Sequence, residues 1–268
     1  MSSKLSQIVR NIIFAGKLAG WRQALAAIVI GNIVNKEGIN KNVAGKTAIV
    51  IAPHPDDEIM GCGGALSLWR KYGGKISVHY IFDGTRGTSN GSRDYDLKKI
   101  RKQEAQKGLK IIGGGDQIFY NIEDGSTNCI KSKEIIVSII NKIKLSKSCA
   151  LFIPWFGEEN LDHKATYRIA KNIIRTAIRM KFHNKIQIWL YEVWTPLVPN
   201  QIVCIDDVVE LKKRAISAHQ SQLKSTDYLS AALGLNAYRG VINAKNGKYA
   251  EAFMVMSAYR LFKIEQQR

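Results

Sequence analysis

Four side chains that could bind a cation follow one another within residues 53–58, a segment that reads PHPDDE: His54, Asp56, Asp57 and Glu58. Adjacent carboxylates repel one another unless a cation neutralises them, and imidazole nitrogen and carboxylate oxygen are ordinary ligands of Zn²⁺. We therefore predict a metal site here, held by His54 and one of the aspartates. The alternative is a helix N-terminus that an aspartate caps and whose dipole Glu58 supports.

A second polar segment, residues 155–163 (WFGEENLDH), follows an apolar run at residues 150–154. This run and residues 47–52, which precede His54, are both predicted strands, and parallel strands end at the same edge of a sheet. His163 could therefore reach a metal held by His54 and one aspartate. Two histidines and one carboxylate are the ligand set of a catalytic zinc with an open position. A lone histidine at a helix start is otherwise more often structural.

The elements that must position these residues alternate along the chain. Short apolar runs occur at residues 47–52, 75–82, 117–120, 150–154, 185–191 and 201–205. Helical segments follow at residues 59–72, 97–112, 132–143, 163–180 and 207–222. Continuous apolar strands separated by helices predict a parallel sheet covered on both faces. The predicted fold class is α/β, a Rossmann-like three-layer fold with a mostly parallel sheet and an N-terminal helical extension.

Composition narrows the class of protein. The 268 residues suit one domain, which we place at residues 47–268, with a small terminal addition at residues 1–46. Lys and Arg outnumber Asp and Glu by 40 to 22, but no block of five basic residues occurs, so nucleic acid is not an expected partner. The four cysteines have no C-x-x-C spacing, which argues against a disulfide framework and favours a reducing cytoplasm.

Residues 1–46 combine basic side chains with apolar runs. The longest stretch without charge, residues 23–35, is shorter than the roughly 20 residues that span a bilayer, and charges spread through the apolar sequence do not suit a signal peptide. Such a segment could form a helix on an anionic membrane surface, at the inner face of the membrane, or a helix packed on its own domain. We expect a cytoplasmic protein in either case.

Together these segments resemble the LmbE/PIG-L family of zinc-dependent N-acetylglucosaminyl deacetylases. The resemblance is carried by PHPDDE after the first strand, GCGG opening the next helix, and NLDH where the family usually has HPDH. Further segments match in order: residues 82–84 (FDG), 100–105 (IRKQEA), 123–125 (EDG), 191–194 (YEVW), 218–222 (AHQSQ) and 249–253 (YAEAF). The resemblance implies a Rossmann-like fold and removal of an N-acetyl group, usually from a glucosamine unit attached to a lipid, a thiol precursor or an antibiotic.

The resemblance also implies roles for individual residues. His54, Asp57 and His163 would bind Zn²⁺, and Asp56 would be the general base. Zn²⁺ lowers the pKa of a water to about 7 and polarises an amide carbonyl, which activates both reactants. Asp56, which the metal does not use, could take the proton of that water and return it to the leaving amine. Glu58 is expected to orient one of the metal ligands.

Three further residues are candidates for substrate binding. Arg101 resembles the substrate-binding arginine of the family, and a guanidinium can hold sugar hydroxyls or a phosphate; the alternative is a surface arginine on an amphipathic helix. Asp124 could bind sugar hydroxyls or form a turn with the glycine that follows it. His219 could face the site or lie on a core-facing helix.

One departure from the family pattern bears on activity. Asn160 replaces a histidine that the family usually has three residues before its last ligand and that, with the Asp at position 162, helps to stabilise the tetrahedral oxyanion. Asn160 could donate an amide hydrogen bond there but has no titratable proton, and loss of one such donor typically costs about 10²–10³ in rate.

The sequence therefore predicts removal of acetyl from an N-acetylhexosamine conjugate, either lipid-linked or nucleotide-linked. With Asn160 and Asp162 in catalytic positions, we expect reduced or retuned turnover rather than none. The alternatives are a weak or inactive zinc- and carbohydrate-binding protein and an amidase that acts on a non-sugar amide.

Overall fold

The computed structural model describes residues 38–88, 92–127, 132–244 and 247–266. Within these residues, seven strands form one sheet in the order β3-β2-β1-β4-β5-β7-β6. The strands are β1 (Thr47–Ala52), β2 (Lys75–Phe82), β3 (Asp116–Ile122), β4 (Cys149–Pro154), β5 (Ile186–Tyr191), β6 (Gln201–Cys204) and β7 (Ala250–Ser257). The helices are α1 (Asp57–Lys71), α2 (Tyr95–Ile111), α3 (Ser132–Leu145), α4 (Leu161–Arg179), α5 (Val209–Ser217), α6 (Gln220–Leu223), α7 (Tyr228–Asn243) and α8 (Ala258–Gln266).

The sheet is mostly parallel and has helices on both sides. Strands β1 to β5 pair in parallel, whereas β7 runs antiparallel to both of its neighbours, β5 and β6. Every residue of β1 is buried because both of its faces are covered. Ile49 and Ile51 pack into the core on one face, and Ala48 and Val50 pack into the core on the other. The predicted α/β fold is confirmed.

The predicted elements differ from the structure mainly after residue 206. Strands β1 and β2 have the predicted bounds. The helix predicted at residues 207–222 is instead two helices, α5 and α6, separated at Ala218 and His219. Helices α7 and α8 and strand β7 were not predicted. An antiparallel strand inserted between β5 and β6 follows from long-range pairing, which no local pattern encodes.

Residues 1–37 of the predicted extension, and with them most of the proposed membrane contact, lie outside the described residues. Residues 38–46 are described and contain a short 3₁₀ turn at Lys41–Val43. Ile39 and Val43 are buried in the core that α1 covers. Among the helices that the structure describes, none has the length and apolar character needed to cross a membrane.

Helix α1 lies close against the sheet through its glycines. A Cβ at Gly61 would lie 2.5 Å from Cδ2 of Tyr191, and one at Gly64 would lie 2.7 Å from Cγ2 of Ile205. Both distances are too short for any side chain, so the approach depends on glycine. The helix is also kinked at Cys62, which has a φ of −144°.

A buried ion pair satisfies the backbone groups around this kink. The carboxylate of Glu251 in β7 accepts hydrogen bonds from the N–H groups of Gly64 (2.8 Å) and Ala65 (2.7 Å). Lys212 of α5 donates to Glu251 Oε1 (2.6 Å) and to the carbonyl oxygen of Met60 (2.8 Å). The ion pair thus holds α1, the helix that begins within the polar segment, against strand β7.

Replacing one member of this pair should destabilise the fold. Lys212→Met should lower the free energy of unfolding by about 3–5 kcal/mol, because the buried carboxylate of Glu251 loses its cation. Urea denaturation measures the effect. Lys213→Met is the matched control, since Lys213 is the neighbouring lysine and pairs with the exposed Glu210; its midpoint should stay almost unchanged. Equal losses in the two variants would contradict this account.

Candidate active site

The candidate active site lies at the carboxyl ends of β1 and β4, which pair in parallel at the centre of the sheet. The loop after β1 carries His54 and Asp56 and leads into α1, whose first residue is Asp57. Helix α4, which follows β4, carries Asp162 and His163 in its first turn. The topology therefore brings together two segments that are more than 100 residues apart in the chain.

The carboxylate of Asp57 lies between two imidazoles. Its Oδ2 atom is 3.2 Å from Nδ1 of His54 and 3.3 Å from Nε2 of His163, and it accepts the backbone N–H of His54 at 2.9 Å. One possible ligand atom from each of the three residues lies within 4.8 Å of the others. The predicted ligands are thus adjacent.

The three residues fit a metal ion by a separate observation. His163 is fully buried, and among the described residues neither of its ring nitrogens has a hydrogen-bond partner of acceptable geometry. Buried polar atoms without a partner are rare in folded proteins. A cation held by His54, Asp57 and His163 would satisfy one of these nitrogens and match the two-histidine, one-carboxylate set of catalytic zinc.

Asp124 and Asp162 form a second possible ligand set with His54. Their oxygens, however, already accept backbone hydrogen bonds. Asp124 accepts from the N–H groups of Gly84 and Arg86, each at 2.8 Å, and Asp162 accepts from the N–H of Gly125 at 3.0 and 3.1 Å. His54, Asp57 and His163 are the better candidate set, because of the two sets it alone combines two imidazoles with a carboxylate. Asp124 holds the loop after β2, and its predicted contact with sugar hydroxyls stays a prediction.

The electrostatics of the site favour a bound cation. Burial alone would raise the pKa of Asp57, but the two imidazoles, His163 foremost, hold it well below its usual range. Burial would likewise lower the pKa values of the histidines. Hydrogen bonds to Asp162 and Asp57 instead raise the pKa of His54 to about 10, and Asp57 raises that of His163 to about 9. A metal ion would compete with these protons, so its binding should release them.

Asp56 pairs with Arg101 beside the candidate metal ligands. Its Oδ2 atom lies 2.9 Å from a terminal nitrogen of Arg101, and its backbone has a φ of +155°, which is unusual for a residue other than glycine. Burial raises the pKa of Asp56 to about 6, against the opposing effect of Arg101. A carboxyl with this pKa can both accept and donate a proton near neutral pH.

Glu58 lies beside Asp56 and Tyr80. Its carboxylate accepts the backbone N–H of Asp56 at 3.2 Å and the hydroxyl of Tyr80 at 2.6 Å. Burial raises the pKa of Glu58 to about 8. The carboxylate contacts of Glu58 are thus with Asp56 and Tyr80, and its expected role in orienting a metal ligand stays a prediction.

Arg101 lines the cavity, as predicted for a substrate-binding residue, but its guanidinium is already engaged. Besides Asp56, it donates to the carbonyl oxygens of Gly84 (3.2 Å) and Pro55 (3.3 Å). These contacts make Arg101 an orienting group for Asp56. A direct contact with substrate stays a prediction.

Asn160 caps helix α4. Its Oδ1 atom accepts the backbone N–H groups of Asp162 (2.8 Å) and His163 (3.3 Å), which satisfies the first turn of the helix. Asn160 also lines the cavity. Because the oxygen is used by the cap, the amide nitrogen is the group that it can offer to a ligand.

His219 is not brought to the cavity. Its side chain is 3% exposed, and both ring nitrogens lack a hydrogen-bond partner within the described part of the chain. Burial lowers its pKa to about 3, so the ring is neutral. Its predicted substrate contact is not supported by this placement.

The sequence did not single out Glu158. Its carboxylate accepts N–H groups of the loop after β5, and its Oε2 atom lies 3.3 Å from Nδ1 of His163. A carboxylate beside a metal-binding histidine commonly fixes the orientation of the ring. Two adjacent glutamates look alike in sequence, but Glu158 is fully buried and Glu159 is exposed.

The cavity above these residues has a volume of about 370 Å³. Its wall also contains residues to which the sequence analysis gave no individual role, namely Arg86, Leu161, Trp194, Gln222 and Tyr228. Trp194 and Tyr228 pack edge to face, with ring centroids 5.0 Å apart. The site therefore offers acidic, basic and aromatic groups around one concave space, as small-molecule sites do.

Comparison with known proteins finds a family match over the part of the chain that contains the candidate metal ligands. The family described as PIG-L, GlcNAc-PI de-N-acetylase, matches residues 49–174. The diacetylchitobiose deacetylase of Thermococcus kodakarensis is 25% identical over 189 residues, which are 66% of this chain and 70% of that protein. The range matched by the family, residues 49–174, contains all three candidate metal ligands together with Asp56 and Asn160.

Two solved structures share the fold. The N,N'-diacetylchitobiose deacetylase of Pyrococcus horikoshii has a TM-score of 0.67 and 22% identity, over 92% of this chain and 96% of its own. The 4-carboxy-2-hydroxymuconate hydratase GalB of Pseudomonas putida KT2440 has a TM-score of 0.65 and 21% identity, over 79% and 96%. Because one fold hosts a deacetylase and a hydratase, the reaction must be argued from the residues of the site.

Removing the carboxylate behind His163 should weaken metal binding. We expect Glu158→Gln to lower zinc affinity by about 10–100-fold, because the imidazole loses a group that orients it. Glu159→Gln, which changes the exposed neighbour, should leave the affinity unchanged. Competition against a chromogenic chelator measures both variants. Equal affinities in the two variants would show that Glu158 does not support the metal site.

Proposed function

Because the chain carries a domain of the PIG-L (LmbE-like) deacetylase family, we propose that it is a zinc-dependent hydrolase that removes acetyl from an N-acetylhexosamine conjugate. The observation that carries the proposal is the convergence of His54, Asp57 and His163, with Asp56 beside them in one cavity. The family is enzymatic, and relatives are N-deacetylases named for acetylated sugars.

A divalent cation held by His54, Asp57 and His163 would supply Lewis-acid chemistry, lowering the pKa of a water and polarising the amide carbonyl. Two imidazoles and a carboxylate favour Zn²⁺ for this role. Glu158 and the backbone N–H of His54 keep these side chains in place. The remaining steps belong to the protein's own groups.

Asp56 moves the proton. Arg101 holds its Oδ2 atom, which leaves Oδ1 to accept a proton from the attacking water. A pKa of about 6 keeps Asp56 mostly ionised at neutral pH while allowing it to return the proton to the leaving amine. The neighbouring Asp57, whose pKa is held low, stays ionised throughout. Two adjacent aspartates thus take different roles because their surroundings differ.

Asn160 and Asp162 would serve the tetrahedral intermediate. The amide nitrogen of Asn160 can donate a hydrogen bond to the oxyanion, while its oxygen holds the start of α4. Asp162 is fixed by Gly125 and lies 3.2 Å from Nε2 of His54. Asp162 therefore orients His54 within the site.

The proposals for the linkage of the substrate and for the location of the protein rest on charge and composition. With a net charge of +18, the protein suits a conjugate that is nucleotide-linked or lipid-linked. We propose a cytoplasmic location, with residues 47–268 as the catalytic domain and an N-terminal extension that contacts an anionic surface at the inner face of the membrane; Ile39 and Val43, at the end of that extension, pack into the core instead.

A second candidate is a zinc- and carbohydrate-binding protein with weak turnover. The observation that favours it is the commitment of Asn160 to capping α4, together with the lack of an imidazole at that position. An amidase acting on a non-sugar amide is a further alternative, because the cavity wall combines aromatic and charged groups that do not by themselves select a sugar.

Primary-amine release from N-acetylhexosamine donors tests the activity. Free, nucleotide-linked and lipid-linked donors should be compared with zinc-loaded protein. Asp56→Asn should lower kcat by about 10²–10⁴, because the proton acceptor is lost while the metal ligands stay. Zinc content, measured in both proteins, is the control. Unchanged release in the variant would remove Asp56 from the mechanism, and no release from any donor by the zinc-loaded protein would favour the binding protein or the non-sugar amidase.

Substitutions at Asn160 separate its structural and catalytic roles. Asn160→Asp keeps an oxygen for the cap, so the melting temperature should change little, but loss of the N–H donor should lower kcat by about 10²-fold or more. Asn160→Ala should lose both the cap oxygen and the N–H donor, and the loss of the cap should lower the free energy of unfolding by about 1 kcal/mol. Asn160→His should raise kcat if the imidazole is what the site lacks. A wild-type kcat in Asn160→Asp would show that Asn160 does not stabilise the transition state.

A further inference from the structure

The wall of the cavity contains a cation that the proposed mechanism does not use. Arg86, in the loop after β2, lines the cavity and is exposed. Within the described residues its guanidinium forms no ion pair or hydrogen bond. A guanidinium that lines a cavity and has no partner in the protein can offer its N–H donors to an anionic ligand there.

The backbone of Arg86 is nevertheless held in place by a hydrogen bond. Its backbone N–H donates to Oδ2 of Asp124 at 2.8 Å. Its side chain lies over Gly125, where a Cβ would come within 2.9 Å of a terminal guanidinium nitrogen. Gly125 has a φ of +79° and donates its N–H to Asp162. The guanidinium thus lies beside Gly125, whose backbone N–H holds Asp162 in the wall of the cavity.

The other arginine of the cavity is not available in the same way. Arg101 pairs with Asp56 and two carbonyl oxygens, so binding an anion there would displace the proposed general base. The cavity also contains four aspartates: Asp56, Asp57, Asp124 and Asp162. An anionic substrate group entering this space would be repelled unless a cation met it. Arg86 is the group placed to do so.

We propose that Arg86 binds a phosphate group of the substrate, so that the conjugate is a phosphorylated N-acetylhexosamine. The inference rests on the proposed function and names its substrate class. A guanidinium presents paired N–H donors that match phosphate oxygens, and it stays charged at any physiological pH. Trp194 and Tyr228 line the same cavity and offer an aromatic surface to the part of the substrate beyond the phosphate.

Binding of the deacetylated product tests Arg86 without requiring turnover. Calorimetry should compare glucosamine 1-phosphate with glucosamine on the zinc-loaded full chain. Arg86→Gln should weaken binding of the phosphate by about 10–100-fold and leave glucosamine unchanged, because only the phosphate loses a partner. Lys224→Gln is the matched control, since Lys224 is an exposed cation that does not line this cavity. Equal losses for the two ligands, or no loss for either, would overturn the proposal.

Turnover distinguishes the source of the phosphate. The same variants should be assayed with UDP-N-acetylglucosamine and with polyprenyl-diphosphate-linked N-acetylglucosamine in phosphatidylcholine vesicles. The donor with the higher kcat/KM identifies a nucleotide or a lipid source, and Arg86→Gln should reduce that value. An undiminished value would overturn the role of Arg86. If no donor releases amine but the binding difference at Arg86 persists, the deacetylase function fails and the phosphate site stands.

Discussion

The carboxylate of Asp57, buried between two imidazoles, is the constraint on which the site depends. Its Oδ2 atom contacts both His54, after the end of one strand, and His163, in the helix after the next strand of the sheet. The charge of this carboxylate raises the pKa of each histidine, so a proton or a metal ion must balance it. Asp162 and Glu158 lie on the outer sides of the two rings and define the direction in which each ring faces.

Asp56 and Asp57 are adjacent aspartates, but their different surroundings shift their pKa values in opposite directions. Arg101 contacts the side chain of Asp56, and Glu58 accepts its backbone N–H. Burial raises the pKa of Asp56 to about 6, a value that suits proton transfer. The buried pair of Lys212 and Glu251 holds the kinked helix α1, which begins at Asp57, against β7.

The sheet explains why so distant segments share one site. Strands β1 and β4 are neighbours at the centre of a parallel sheet, so their carboxyl ends, and the helix starts that follow, meet in space. The fold alone does not select the reaction, since a hydratase has it as well. Selectivity must come from the groups around the rim, where Arg86 and the aromatic pair of Trp194 and Tyr228 stand outside the metal ligands.

The sequence by itself determined the parallel α/β architecture and the proximity of His54 and His163, because both follow from local apolar runs and from where parallel strands end. Only the tertiary structure determined which of the other polar residues are buried and which groups they contact. Glu158 is buried and its neighbour Glu159 is not, and His219 is buried as well. Arg101 pairs with Asp56, whereas the guanidinium of Arg86 has no partner among the residues that the structure describes. Burial and hydrogen-bond partners come from long-range packing, including the antiparallel insertion of β7, and a local pattern does not encode them.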